Sequence, residues 1–349
     1  MTLSLPVLLL FTSKLDASGT KIHPSAETLI SPYPGDSLDD AAVWQHPSNP
    51  DESLIVTTLK ASNQTPVQPT GIITYDLKGN QVQFFEDGTP NNVDVRAKFP
   101  FPTGDAQIIA VSHWYSGEIG LYRIDSSTRK LIKIASFTTS INKLRGLCLG
   151  RLDQQTHAFA IGSDGDIEQY QIDSVGNPVL VKQWQLASEA EGCVVNDSSQ
   201  KLYIAEENHG IWSIDLNQAN PAPEIFDEIR LFGPLKRGLE GLTLLDIEQE
   251  TFLIASIQEK NRFAIYNLSS DQYLGKFKIS ASGQLDGVSK TDGIHIEQFH
   301  TTDFPLGILI THDDSNLDDA GKETNQNFKL IELGSLIELI KKRNSGSRK

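Results

Sequence analysis

The sequence predicts an all-β fold, a six-bladed β-propeller of four-stranded antiparallel blades whose ring is closed by an N-terminal strand. Three observations predict it. First, six short segments recur: DDAAVW (39–44), NNVDVR (91–96), LRGLCLG (144–150), AEGCVVN (190–196), LEGLTLL (239–245) and TDGIHIE (291–297). Their matched positions, Asp40, Asn92, Arg145, Glu191, Glu240 and Asp292, lie 52, 53, 46, 49 and 52 residues apart. A period near 50 residues marks a repeat architecture. Second, GIITYDLKGN (71–80), GEIGLYRID (117–125), GDIEQYQID (165–173), HGIWSIDL (209–216) and NRFAIYNL (261–268) share period-two alternation and an aromatic, Tyr75, Tyr122, Tyr170, Trp212 or Tyr266. That alternation is the strand signal. Third, helix signal is confined to SLIELIKK (335–342).

The elements follow in chain order. Residues 1–20 open with MTLSLPVLLLF, an apolar run too short to span a bilayer and lacking a basic flank. It reads as the remnant of a secretory signal, which would place the protein outside the cell or in the periplasm. The segment KIHPSAETLI (21–30) is expected to complete the last blade, because an unclosed ring would expose an edge strand. Each repeat then supplies an inner strand from the first motif. A second apolar strand follows, such as QIIAVSH (107–113) or GILITHD (307–313), and then the aromatic strand. A weaker fourth, such as KLIKIASF (130–137), completes four strands per repeat, the content of a propeller blade. NQNFKLIEL (325–333) is the sixth aromatic-type strand. One propeller domain is expected over 21–340, with 341–349 as a polar tail or linker.

The formal net charge is -15, which argues against a nucleic-acid partner, since phosphate-backbone binding needs a basic face. It suits a protein that holds cations with carboxylates. The two cysteines, Cys148 and Cys193, lie in apolar runs of a chain with enough core to fold without staples, so free buried thiols are expected. Their spacing forms no zinc motif.

Five of the six matched positions carry an acid or an amide, and Arg145 is the exception. If this position opens the inner strand of each blade, the six side chains ring one mouth of the central channel. Asp39, Glu207 and Asp286 add further oxygens. Carboxylates that close cannot all stay ionised without a cation among them, and flexible oxygen-rich sites select calcium.

At this point the motifs resemble the β-propeller phytases, calcium-dependent phosphatases acting on inositol hexakisphosphate. DDAAVW with HPSNP, NNVDVR, EGCVVND with LYIAEEN, GLEGLTL, KTDGIHI and NQNFK fall in that family's order from about Glu27 to Leu333. The resemblance implies several calcium ions, with Glu27, Asp39, Asp40, Glu191, Glu207, Glu240, Asp286 and Asp292 at ligand positions. Gln258 and the loop from Asp313 to Asn316 fall near others. It implies Lys60 as a phosphate-binding lysine, with Glu191, Glu240 and Asp286 as candidate catalytic carboxylates. The implied reaction is attack on phosphorus by a water activated by the metal, with no protein nucleophile. The implied substrate is a phosphorylated small molecule entering as its calcium complex, because a bare polyanion would be repelled.

Four positions depart from the family's pattern. SHWYSG (112–117) stands where an Arg is typical, Arg145 where there is a Tyr, Ser163 where there is a Lys, and Gly238 where there is an Asp. Arg145 could itself grip phosphate, and Lys236, Arg237 and Lys260 could add contacts. The alternative is a degenerate propeller that binds calcium or phosphate and assists a complete tandem phytase domain. A third reading, a six-bladed propeller lactonase, would need a base such as His113 or His209.

Overall fold

A computed structural model describes residues 20–60, 68–318 and 320–347. The leader expected over 1–20 lies outside this range except for its last residue. Six sheets form six blades. In the first five, chain order runs from an inner strand outward, beginning at Leu38–Trp44, Pro90–Phe101, Leu144–Leu152, Ala190–Asn196 and Leu239–Ile247. The sixth blade begins at Ile294–Glu297. Each inner strand touches the next, and the sixth returns to the first.

Closure occurs as the sequence predicts. Blade 6 takes three strands from the C-terminal end of the chain and its fourth, Ala26–Glu27, from the N-terminal end. Ala26 pairs antiparallel with Leu330 and Glu27 with Lys329. Just before it, Thr20–Ile22 adds a parallel fifth strand to blade 5, a feature the repeat pattern does not announce. Ile22 drives this pairing by burying its side chain against Phe277, Ile279 and the C-terminal helix. That helix, Gly334–Ser347, is longer than expected. The residues read as a polar tail, 341–347, are its last turns. Arg343 donates to Thr20 Oγ1 and the Lys276 carbonyl, both at 3.0 Å, which ties helix and first strand together. None of the described helices is long and apolar enough to cross a membrane.

Strands packed on both faces are buried along their length, as Leu38–Trp44 and its neighbour Leu54–Leu59 are. Outer strands such as Gln81–Glu86 meet solvent and alternate. The recurring aromatics fill the layers between blades, and several satisfy their polar atom on a carboxylate. Tyr122 donates to Asp87 at 2.5 Å, Trp212 to Glu206 at 2.7 Å and Tyr266 to Asp227 at 2.8 Å. The second repeat is therefore a core device.

The cysteines overturn the expectation of free thiols. Cys148 and Cys193 form a disulfide with Cα atoms 5.7 Å apart. They sit on the inner strands of blades 3 and 4, which the ring brings side by side. Reading each cysteine in its own apolar run conceals this, because the neighbour is one whole repeat away.

Candidate functional site

The mouth of the channel is shaped by a defect that recurs in the inner strands. In blades 1 to 5 the pairing of inner and second strand slips at the motif: between Leu38 and Ala41, Pro90 and Val93, Leu144 and Gly146, Ala190 and Cys193, and Leu239 and Leu242. A bulge inserts an unpaired residue and re-aims its side chain, a common device next to active sites. The glycine after the acid allows neighbouring bulges to nest. A Cβ on Gly192 would lie 1.9 Å from the Glu240 carbonyl oxygen, and one on Gly146 equally close to that of Glu191. The acid–glycine motif is thus one unit: the acid faces the channel and the glycine admits the next blade.

The result is a cavity of ≈ 480 Å³ lined by eight carboxylates and three cations. Lys60 Nζ lies 2.6 Å from Asp39, 2.9 Å from Asp36 and 3.9 Å from Asp292. Arg145 Nη1 lies 2.8 Å from Glu189 and 3.1 Å from Glu191, and its guanidinium stacks over the Trp114 ring at 4.1 Å. Asn91 Nδ2 donates to Asp39 at 3.0 Å and to Glu191 at 2.7 Å, bridging two blades. Gln258 donates to Asp292, and His312 Nδ1 lies 3.5 Å from the other oxygen of that carboxylate. Lys290 reaches Asp314 at 3.1 Å on the rim.

The electrostatics report a shortage of positive charge. Burial, followed by the charges of Glu191, Asp292, Glu207 and Asp39, holds the Glu240 carboxyl well above the usual range. Burial also raises Asp39, against the opposing pull of Lys60, and Asp292, against His312 and Lys60. Glu207 is pushed up to about 6 by burial and by its hydrogen bond to Glu189. Burial alone would lower Lys60, but Asp39, Asp292 and Asp36 outweigh it and hold its ammonium charged.

The predicted site residues divide into three groups. Lys60, Asp39, Arg145, Glu191, Glu207, Glu240, Gln258 and Asp292 meet at the mouth. Asp40 does not. The bulge in blade 1 turns Asp39 upward and Asp40 into a narrower cavity below, of ≈ 140 Å³, where Asn92 also lies. Asp40 there accepts from Ala41 N at 2.9 Å and Val93 N at 3.1 Å. Burial pushes it up to about 7 despite these bonds. The matched ring is therefore displaced by one residue in blades 1 and 2, where Asp39 and Asn91 face the mouth.

Glu27, Asp286 and Asp313 form the second cluster, on blade 6 and its loops. They surround Lys329, whose side chain is wholly buried. Lys329 Nζ contacts Glu27 and Asp286, lies 3.4 Å from Asp313 and donates to Asn316 at 2.8 Å. Asp286 is absent from the lining of the mouth. Among the described residues no three Asp, Glu, His or Cys side chains already converge on one metal-sized point, and Lys60, Arg145 and Lys329 each pair with some of these carboxylates.

The departures from the family pattern have local reasons. Gly238 holds a left-handed backbone with φ of 76° and bonds to the Glu207 carbonyl, so an aspartate there would be strained. Lys236 is spent on the carbonyls of Arg230 and Leu231. Neither it nor Arg237, Lys260 or Ser163 lines the mouth. His113 is buried and 3.3 Å from the Tyr122 hydroxyl, and His209 stacks on Trp212, so neither faces the cavity. Sequence reasoning missed Asn91, Glu189, Trp114 as the seat of Arg145, and Lys329. For Asn91 a signal existed, since a bulge makes both residues of a motif pair such as Asn91–Asn92 matter.

The family described as Phytase matches residues 7–344. The 3-phytase of Bacillus subtilis (strain 168) is 32% identical over 332 residues, spanning 88% of this chain and 84% of that protein. The crystal structure of a protein from Lactobacillus plantarum superposes with a TM-score of 0.54 at 12% identity, covering 86% of this chain and 90% of that one, a likeness of fold alone.

Proposed function

The chain belongs to the phytase family and is a phosphatase-type hydrolase, and from that premise we propose that it releases phosphate from phytate, or a related phosphate ester, in a calcium-dependent reaction at the channel mouth. The observation that carries this reading is the excess of carboxylates over cations in the lining. An all-oxygen, multi-carboxylate donor set with no thiolate suits a hard, flexible cation such as calcium. The raised carboxyls of Asp39, Glu240 and Asp292 are what such a set looks like without that charge.

Asp39, Glu191, Glu207, Glu240, Gln258 and Asp292 would hold calcium at the mouth, whereas Glu27, Asp286 and Asp313 are matched by the Lys329 ammonium. When bound, calcium supplies positive charge to phosphate oxygens and acidity to water. The chain's own groups do the rest. Lys60 approaches from blade 1 as a point charge, and Arg145 from blade 3 presents a planar fork that matches two phosphate oxygens. Between them a phosphoryl group is held by charge on two sides. Glu191 and Glu240, which lie on adjacent inner strands and line the mouth, would take a proton from an attacking water. Arg145 is seated on Trp114 and braced by two glutamates, which supports a built site over a decayed one. The disulfide is in keeping with an exported protein.

The test is phosphate release from calcium phytate. Chelation with EDTA is expected to abolish it, and added calcium to restore it. Turnover that survives complete chelation, or lactone hydrolysis without phosphate release, would overturn the reading.

A further inference from the structure

One wall of the mouth is aromatic. The turn after Gly104–His113 carries Trp114 and Tyr115, and both line the cavity. Their ring centroids are 6.0 Å apart with planes inclined by 54°. Arg145 covers one region of the Trp114 face and is itself held by Glu189 and Glu191. Tyr115 is 67% exposed, so no core packing accounts for its ring. The rest of the lining is dominated by carboxylates, Lys60, Arg145 and amides.

The cavity therefore offers two chemistries side by side. The charged side recognises a phosphoryl group. The aromatic side recognises a flat apolar surface, since rings pair in tilted or offset geometries at centroid spacings of about 4.5–7 Å. A fully phosphorylated inositol ring has no flat apolar face to offer. An aryl or nucleoside phosphate does. We propose that Trp114 and Tyr115 form a shelf for the planar leaving group of phosphate monoesters, so that the site also takes aryl and nucleoside monophosphates. This rests on the phosphatase reading of the same mouth. The phosphate would lie between Lys60 and Arg145, and the ring against Tyr115 and the free part of Trp114. Ester cleavage would transfer the phosphoryl group to water and release the aryl or nucleoside hydroxyl, so no further reactant is required.

Two non-hydrolysable probes separate the shelf from the chemistry. With calcium present, phenylphosphonate is expected to bind about tenfold more tightly than methylphosphonate, the scale of one aromatic contact. Tyr115→Ala should reduce that preference to within about twofold while leaving methylphosphonate affinity unchanged. Tyr115 is exposed, so the variant keeps its core; Trp114→Phe, which retains a ring, should keep most of the preference. Equal affinity for the two probes in the parent, or an unchanged preference in Tyr115→Ala, overturns the shelf. In turnover, the kcat/KM ratio of 4-nitrophenyl phosphate to glycerol 2-phosphate should fall in Tyr115→Ala by the same factor. Absence of phosphate release from every ester would sink the phosphatase reading, and the phosphonate preference would still decide the shelf. Phytate turnover without any aryl preference would remove the shelf and leave that reading standing.

Discussion

The channel mouth and the blade 6 cluster are built from the same kinds of residue and balance their charge differently. In blade 6, three carboxylates close on one ammonium, that of Lys329, which is wholly buried and also bonded to Asn316. At the mouth, eight carboxylates share three cations around an open cavity. Burial raises Glu240, Asp39 and Asp292; Asp39 and Asp292 add to the rise of Glu240, and Asp292 to that of Asp39. The difference teaches that a carboxylate cluster is neither a metal site nor a salt bridge by composition alone. What decides is whether an internal cation can reach it. Lys329 reaches because its strand lies beside Ala26–Glu27 at the ring closure. Lys60 pairs with Asp36, Asp39 and Asp292, and Arg145 with Glu189 and Glu191, while what governs Glu240 is burial and its fellow carboxylates.

The comparison breaks most visibly if Lys329 is neutralised. Lys329→Met leaves Glu27, Asp286 and Asp313 without their ammonium, and stability measured by urea unfolding in EDTA should fall by about 3–5 kcal/mol. Calcium should recover part of the loss, because the three carboxylates would then resemble the mouth. A variant as stable as the parent in EDTA would show that the lysine does not hold the cluster.

Next in size is the mouth itself. Glu191→Gln keeps the shape and the Asn91 bridge but removes a charge, and phosphate release from calcium phytate should fall about 100-fold with little change in unfolding midpoint. A large loss of stability with activity intact would reverse the contrast, making the mouth the structural cluster.

The smallest effect is on pH dependence. Asp40 is raised to about 7, and Asp313 and Glu207 to about 6, so the folded chain keeps protons that the unfolded chain would release. A carboxyl raised on folding favours the folded state at low pH and costs stability as pH climbs from the unfolded carboxylate range through these values. The metal-free protein should therefore melt about 2–4 °C higher near pH 5.5 than near pH 8. Calcium should flatten that difference, since a bound cation stabilises the ionised forms. A melting temperature in EDTA that rises with pH over this window would contradict the assignment of raised carboxyls.

Much of this was legible in the sequence. The period of the acid–glycine motif gave the blade count, and the aromatic strands gave the blade interior. KIHPSAETLI was recognisable as the closing strand because a propeller cannot leave an edge open. The eight mouth residues from Asp39 to Asp292 also emerged from motif position and resemblance. The misreadings share a cause. Asp40 was matched to Glu191 by alignment, yet a bulge makes its neighbour Asp39 the channel-facing residue, and a linear match is blind to a one-residue rotation of the strand. Cys148 and Cys193 looked like separate core thiols because their contact runs between blades. Lys341 and the residues after it looked like a tail because their anchors, Thr20, Glu250 and Lys276, lie elsewhere in the chain.

By itself the sequence determined the architecture, because periodicity and alternation are local properties that repeat, and six similar units can bury their faces only against one another. It also determined that acids would gather at one end of the channel. Only the tertiary structure decided which acids acquire a cation and which remain in excess. That choice depends on whether an ammonium or guanidinium far away in the chain can reach within a few ångströms, as Lys329 does for Glu27 across 302 residues and Arg145 for Glu191 across 46. Coulombic pairing falls off with distance in space, and distance along the chain does not report it.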